Sequence, residues 1–320
     1  MTIFRSARSF MNSRRSMVTV AAATVLLAAP TSPAFAQRTH VILIQGLSGE
    51  PSYGPVFKDA LNTVAAAARS SWNVADGSLI MLTEDGAGNL KSSRENVMQA
   101  FSTIGGRAAA GDVVLVMLVG HGGGEGSTSR VNLPGPDPTA ADFATYLSGF
   151  GKQRVVFVNA SSGSGDFLPV IAGPQRVVVT ATKSAMQKNE SVFAMYFARG
   201  LTSSESDADK DGRVSILEAF NYAKKEVKRV YESTKRMQTE QAQLSDSSLA
   251  RAVAFGGAAA STDPKIAALV GERQELEAQV GALRLRKQSM PAAEYDKQLE
   301  HLLLSIAEKT RAIRSAGGRE

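Results

Sequence analysis

The sequence predicts an α/β fold: a doubly wound, mainly parallel sheet with flanking helices, followed by a C-terminal helical hairpin. Three observations carry that reading. Five short runs rich in Val, Ile and Leu occupy residues 40–45, 78–82, 112–119, 154–158 and 176–180. They are apolar almost without interruption, as strands buried on both faces of a parallel sheet are. Helix-like stretches stand between them at 53–70, 92–109, 139–150 and 190–201, and alternation of this length is the pattern of a doubly wound sheet. Residues 264–315 then change to the three- and four-residue apolar spacing of packed helices.

The first 36 residues stand apart from the fold. Arg5, Arg8, Arg14 and Arg15 make a positive segment without an acid, and an apolar run of twelve covers 18–29. Ala34-Phe35-Ala36 then supplies a small-x-small cleavage site before Gln37. These three parts are the grammar of a secretory signal. The run is too short to make a stable membrane span. The expected location is therefore periplasmic or secreted. Without the signal, 284 residues remain and the formal charge falls from +6 to +2. No basic patch is interleaved with aromatics, which argues against nucleic acid as a partner. There is no cysteine. That excludes disulfides and every thiol nucleophile.

Residues 37–243 read as the α/β domain. Within it Thr139 is a candidate N-cap with Asp142 three residues on. A polar, acidic stretch covers 203–218, and a charged helix is expected from about Ile216 towards Gln243. Residues 244–263 are small and weakly patterned and read as a linker or loose strap. In the last segment Ile266, Leu269, Leu276, Val280 and Leu283 share one seam, with Arg273 as its one polar member. The spacing resumes after Pro291 at Tyr295, Leu299, Leu302, Ile306 and Ile313, and a proline in a first turn restarts a helix. Two antiparallel helices over 264–315 follow, either as an arm for a partner or a homo-oligomer, or folded onto the domain itself.

Ligands gather beyond the carboxyl ends of strands in open α/β sheets. After the third strand comes Gly120-His121-Gly122-Gly123-Gly124. Of the three histidines, His40 opens the first strand and His301 lies in the hairpin; only His121 follows a buried strand within a glycine run. It is a candidate general base, and Gly122 a candidate backbone donor to an oxyanion. After the fourth strand comes Asn159-Ala160-Ser161-Ser162-Gly163-Ser164-Gly165-Asp166, a turn crowded with hydroxyls and glycines. Together these loops resemble the caspase/legumain-like cysteine peptidases, in which a His-Gly and a later Cys-x-Ser-Gly turn end neighbouring strands. The resemblance spans about residues 39–223, and it implies a caspase-like fold. It places Ser162 in the cysteine position, or Ser161 if the alignment is made on Ala160. A hydroxyl does not ionise as a thiol does and attacks only while a base takes its proton. An orienting residue for His121 is to be sought among Glu84, Asp85 and Glu125. The implied function is a peptidase homologue that binds peptides or protein partners. The alternatives are a serine-nucleophile hydrolase using Ser162 or Ser161 with His121, and an oligomeric scaffold built on the hairpin.

A second motif is contiguous. Asp207 to Glu218 fits D-x-D-x-D-G-x₅-E in full and resembles an EF-hand calcium loop. Asp207, Asp209 and Asp211 supply hard oxygens at alternate positions, and Gly212 allows the sharp turn. Arg213 offers its carbonyl, Ser215 acts directly or through water, and Glu218 closes the sphere. A single loop suits a structural Ca2+ rather than a sensor.

Overall fold

The structure, a computed structural model, describes residues 37–189, 191–209, 212–255, 264–285 and 287–316. The expected signal at 1–36, the expected ligand Asp211 and residues 256–263 lie outside the described residues. Among the described residues no helix is long and apolar enough to cross a membrane.

The chain enters at β1 (Thr39–Gln45), crosses through α1 (Tyr53–Ser70) to β2 (Leu79–Leu82) and returns through α2 (Arg94–Arg107) to β3 (Val113–Val119). Two short strands beyond it, β4 (Gly122–Gly123) and β5 (Arg130–Val131), pair antiparallel. Then come α3 (Ala140–Leu147), β6 (Arg154–Asn159), α4 (Phe167–Ile171), β7 (Arg176–Thr180) and α5 (Phe193–Thr202). The remaining elements are β8 (Val214–Ser215), α6 (Ile216–Ser233), β9 (Gln243–Leu244), α7 (Ser247–Ala252), β10 (Ala254–Phe255), α8 (Pro264–Leu285) and α9 (Ala292–Ser315).

The central sheet runs β2-β1-β3-β6-β7-β9, parallel throughout except for β9 at the edge. Val41, Leu43, Leu115, Met117, Val156 and Val158 face one side and pack with α1, α5 and α6. Ile42, Ile44, Val116, Leu118 and Phe157 face the other and pack with α2, α3 and α4. Successive strand residues alternate between faces, so a sheet covered twice needs an apolar residue at every position. Phe101, Phe143, Phe157 and Phe167 form an aromatic cluster on the second face. Each such burial contributes about 1.5–3 kcal/mol.

The order of strands reverses between β1 and β3. Helix α1 covers one face and α2 the other, so the two crossovers diverge and leave a crevice outside the carboxyl ends of these strands. The opposite ends are fastened by Asp112. Its carboxylate accepts from the Arg38 and Ala109 amides and lies 3.0 Å from His40 Nε2. Burial pushes the Asp112 carboxyl up, but the bonds from Arg38, His40 and Ala109 outweigh it and hold the group below its ordinary value. Asp142 similarly closes a capping box with Thr139 at the start of α3.

One expectation is corrected. The charged helix from Ile216 ends at Ser233 rather than near Gln243. Lys235 turns the chain with φ +53°, and Glu240 is drawn inward, where it accepts from Ser191 Oγ and the Val192 and Phe193 amides at the head of α5. No glycine or proline marks this stop. The expected linker or strap is structured up to Phe255 and reads as the strap of the two. Strand β9 pairs with β7, β10 pairs with β8, and Ala250, Val253 and Phe255 are buried. Two-residue strands carry no periodicity, which is why the segment reads as unpatterned. Helices α8 and α9 pack on one another, with Ile266, Val280, Leu283, Tyr295 and Ile313 buried. Arg273 is buried there too, and Lys309 Nζ lies 2.6 Å from the Glu272 carboxylate.

Candidate functional site

His121 and Ser162 stand side by side at the carboxyl ends of β3 and β6. Ser162 Oγ is 3.4 Å from His121 Nδ1, and His121 Nε2 is 3.0 Å from the Ser48 carbonyl oxygen. A carbonyl can only accept, so Nε2 carries the proton of the neutral ring and Nδ1 offers its lone pair to Ser162. The Tyr53 and Phe57 rings, at the head of α1, meet the imidazole edge-on at centroid distances of 5.6 and 5.4 Å. These contacts fix both the tilt and the depth of the ring. His40, by contrast, is spent on Asp112 at the far end of the sheet, and His301 is exposed on α9.

Of the two candidate serines, Ser162 faces the histidine. Ser161 is fully buried, and its hydroxyl and amide both donate to Asn159 Oδ1. Gly163 makes the turn after Ser162 possible: its φ is +62°, and a Cβ there would fall 2.9 Å from the Gly122 carbonyl oxygen. Ser164 has a supporting part. Its hydroxyl accepts from the Ala181 and Thr182 amides and so ties the turn to the end of β7. Asp166 binds the Gly126 and Ala185 amides. Segment 183–189 lies against the turn, with Gly163 N–H donating to the Gln187 carbonyl. Ser162 is left 2% exposed.

The Asn132 amide bonds the His121 carbonyl and the Val131 amide bonds Pro138, so Gly122–Val131 is the non-hydrogen-bonded pair of β4 and β5. The Gly122 N–H is therefore turned away from β5. The amide of Ser162 itself donates to the Gly120 carbonyl at 3.3 Å.

The orienting group is Ser48, which the sequence analysis did not single out. Its signal was available: it follows the first buried strand at the switch point, where the rule applied to the third and fourth strands also holds. Among the three expected acids, Asp85 pairs with Lys58 at the surface, whose hydrogen bond lowers its pKa. Glu125 is exposed. Glu84 accepts from both the amide and the hydroxyl of Ser48.

The acidic loop is a second candidate site. One carboxylate oxygen each of Asp207, Asp209 and Glu218 lies within 4.8 Å of the others. Gly212 makes the turn with φ +83°, and its amide donates to Asp207. These convergent hard oxygens fit a metal ion. The Ser215 hydroxyl accepts from the Glu218 amide and donates to its carboxylate, closing a capping box on α6. The loop motif and the helix cap thus share Ser215 and Glu218. Glu218 also accepts from the Ala208 and Asp209 amides. Strand β8, inside the loop, pairs with β10, whose Phe255 stacks on Trp72 at 4.8 Å.

No family model matches the chain, and no curated protein matches it. The functional reading therefore stands on these residues and their geometry.

Proposed function

We propose that the chain is an exported homologue of the caspase/legumain-like peptidases whose site engages peptide segments and turns them over weakly or not at all. The observation that carries this is the His121–Ser162 pair, with the second ring nitrogen on a neutral carbonyl. That arrangement suits a thiol, which ionises beside an imidazole and then needs the ring only to be positioned. A serine needs its base stabilised as it becomes a cation during attack, and serine triads place a carboxylate directly on the other nitrogen for this purpose. No carboxylate touches His121 among the described residues.

Replacing Ser162 by cysteine tests the reading. Ser162→Cys should be alkylated by a peptidyl electrophile faster than an ordinary thiol, and His121→Ala in the same background should abolish the advantage. A thiol that reacts no faster with His121 than without it overturns the proposal.

A working serine hydrolase is the second reading, favoured by the 3.4 Å contact and by the orientation of the Gly122 N–H. Labelling of the natural chain by a fluorophosphonate, lost in Ser162→Ala and in His121→Ala, would establish it. The acidic loop would hold one structural Ca2+ through Asp207, Asp209 and Glu218, with Asp211, the Arg213 carbonyl and Ser215 completing the sphere. Bound there, the ion would neutralise clustered carboxylates and pin the start of α6.

A further inference from the structure

Four neighbouring strands, β2, β1, β3 and β6, carry a row of polar groups just beyond their carboxyl ends: Glu84, Ser48, His121 and Ser162. The row follows the order of the sheet, not of the sequence. Glu84 Oε2 accepts from the Ser48 amide at 2.9 Å and from the Ser48 hydroxyl. The Ser48 carbonyl accepts from Glu50 N–H at 2.8 Å and faces His121 Nε2. His121 Nδ1 faces Ser162. From this we infer that Glu84 is a positioning residue for His121, acting through Ser48. The inference rests on the peptidase-type reading of the site and adds to it a residue outside both of its motifs.

Ser48 sits in a loop, and a carbonyl in a loop holds an imidazole tautomer only if the loop is itself held. One Glu84 oxygen takes both donors of Ser48, the amide and the hydroxyl, and so holds in place the residue whose carbonyl meets His121. The charge matters as well. A charged acceptor makes the stronger hydrogen bond, so the carboxylate anchors Ser48 more firmly than a neutral group would. Asp85, the next residue, is neutralised by Lys58, whereas among the described residues no basic side chain pairs with Glu84. The carboxylate lies behind Ser48, on the side of His121 away from the Ser162 hydroxyl. A serine triad puts this charge directly on the ring; here it lies one residue further back.

The test uses the full chain. The tautomer of His121 is read by ¹⁵N NMR, which three histidines leave resolvable. Glu84→Gln keeps the size and one acceptor while removing the charge. The expected result is a mixed His121 tautomer and, in the Ser162→Cys background, alkylation by iodoacetamide slowed roughly tenfold, with its pH profile moved upward. Ser48→Ala, which keeps the hydrogen bond from the residue 48 amide to Glu84, should give a smaller effect. Glu84→Asp should restore part of the rate. An unchanged tautomer and an unchanged alkylation profile in Glu84→Gln overturn the inference. If Ser162→Cys shows no dependence on His121, the peptidase-type reading fails instead, and the tautomer measurement still decides the part played by Glu84.

Discussion

The acidic loop and the strand-tip site are opposite ways of building a constellation. The loop draws its expected ligands from twelve consecutive residues, and a glycine turn is enough to bring Asp207, Asp209 and Glu218 together. The strand-tip site draws Glu84, Ser48, His121 and Ser162 from four separate connections, and only the sheet makes them neighbours. The first should tolerate damage to the sheet better than the second, and the second should tolerate damage to the loop.

The boundary between the two regions is sharpest at Phe255. It pairs with Val214 inside the loop and stacks on Trp72 at the end of α1. Phe255→Ala should cost about 3–5 kcal/mol in urea unfolding. If metal affinity survives that loss intact, the loop is as self-contained as its sequence suggests; if affinity falls in step, β10 is part of the site. Calcium at a hundred times its dissociation constant should add about 2.7 kcal/mol of stability. Asp207→Ala should abolish that gain. Trp72 is the only tryptophan and stacks on Phe255, so its fluorescence follows the β8–β10 pairing as the loop is filled.

Asp112 tests the other half of the comparison. It fastens β1 and β3 at the end remote from His121. Asp112→Asn should cost about 2 kcal/mol at neutral pH. The folded carboxyl ionises below its ordinary value of 3.8, so its contribution is complete above that value. It disappears as the pH falls through the lower, folded one. Parent and variant should therefore converge in acid. Metal binding by the loop should be unaffected at neutral pH. Last and smallest, Ser215→Ala removes the N-cap of α6 and should cost about 1 kcal/mol without added metal. A further loss of calcium affinity would show that Ser215 serves the ion as well as the helix.

The two regions were also unequally legible. The five strands read from continuous apolar runs lie within a residue or so of β1, β2, β3, β6 and β7, because double burial leaves no position free to be polar. The Thr139 cap was equally local. The end of α6 at Ser233 was not, since a buried Glu240 reaching the head of α5 leaves no mark in the residues around 233. Nor was the strap through Phe255, whose two strands are too short to show a period.

The amino-acid sequence alone determined the strand runs, the Thr139 cap, the acidic loop with its alternating carboxylates and the absence of any thiol. These properties depend on residues a few positions apart, where spacing and chemistry are the whole of the physics. Tertiary structure decided which serine faces His121, that a carbonyl rather than a carboxylate holds the ring, and that Glu84 stands behind it. Those contacts join residues 36 to 73 positions apart, and strand order, which no local pattern encodes, is what brings them within a hydrogen bond of one another.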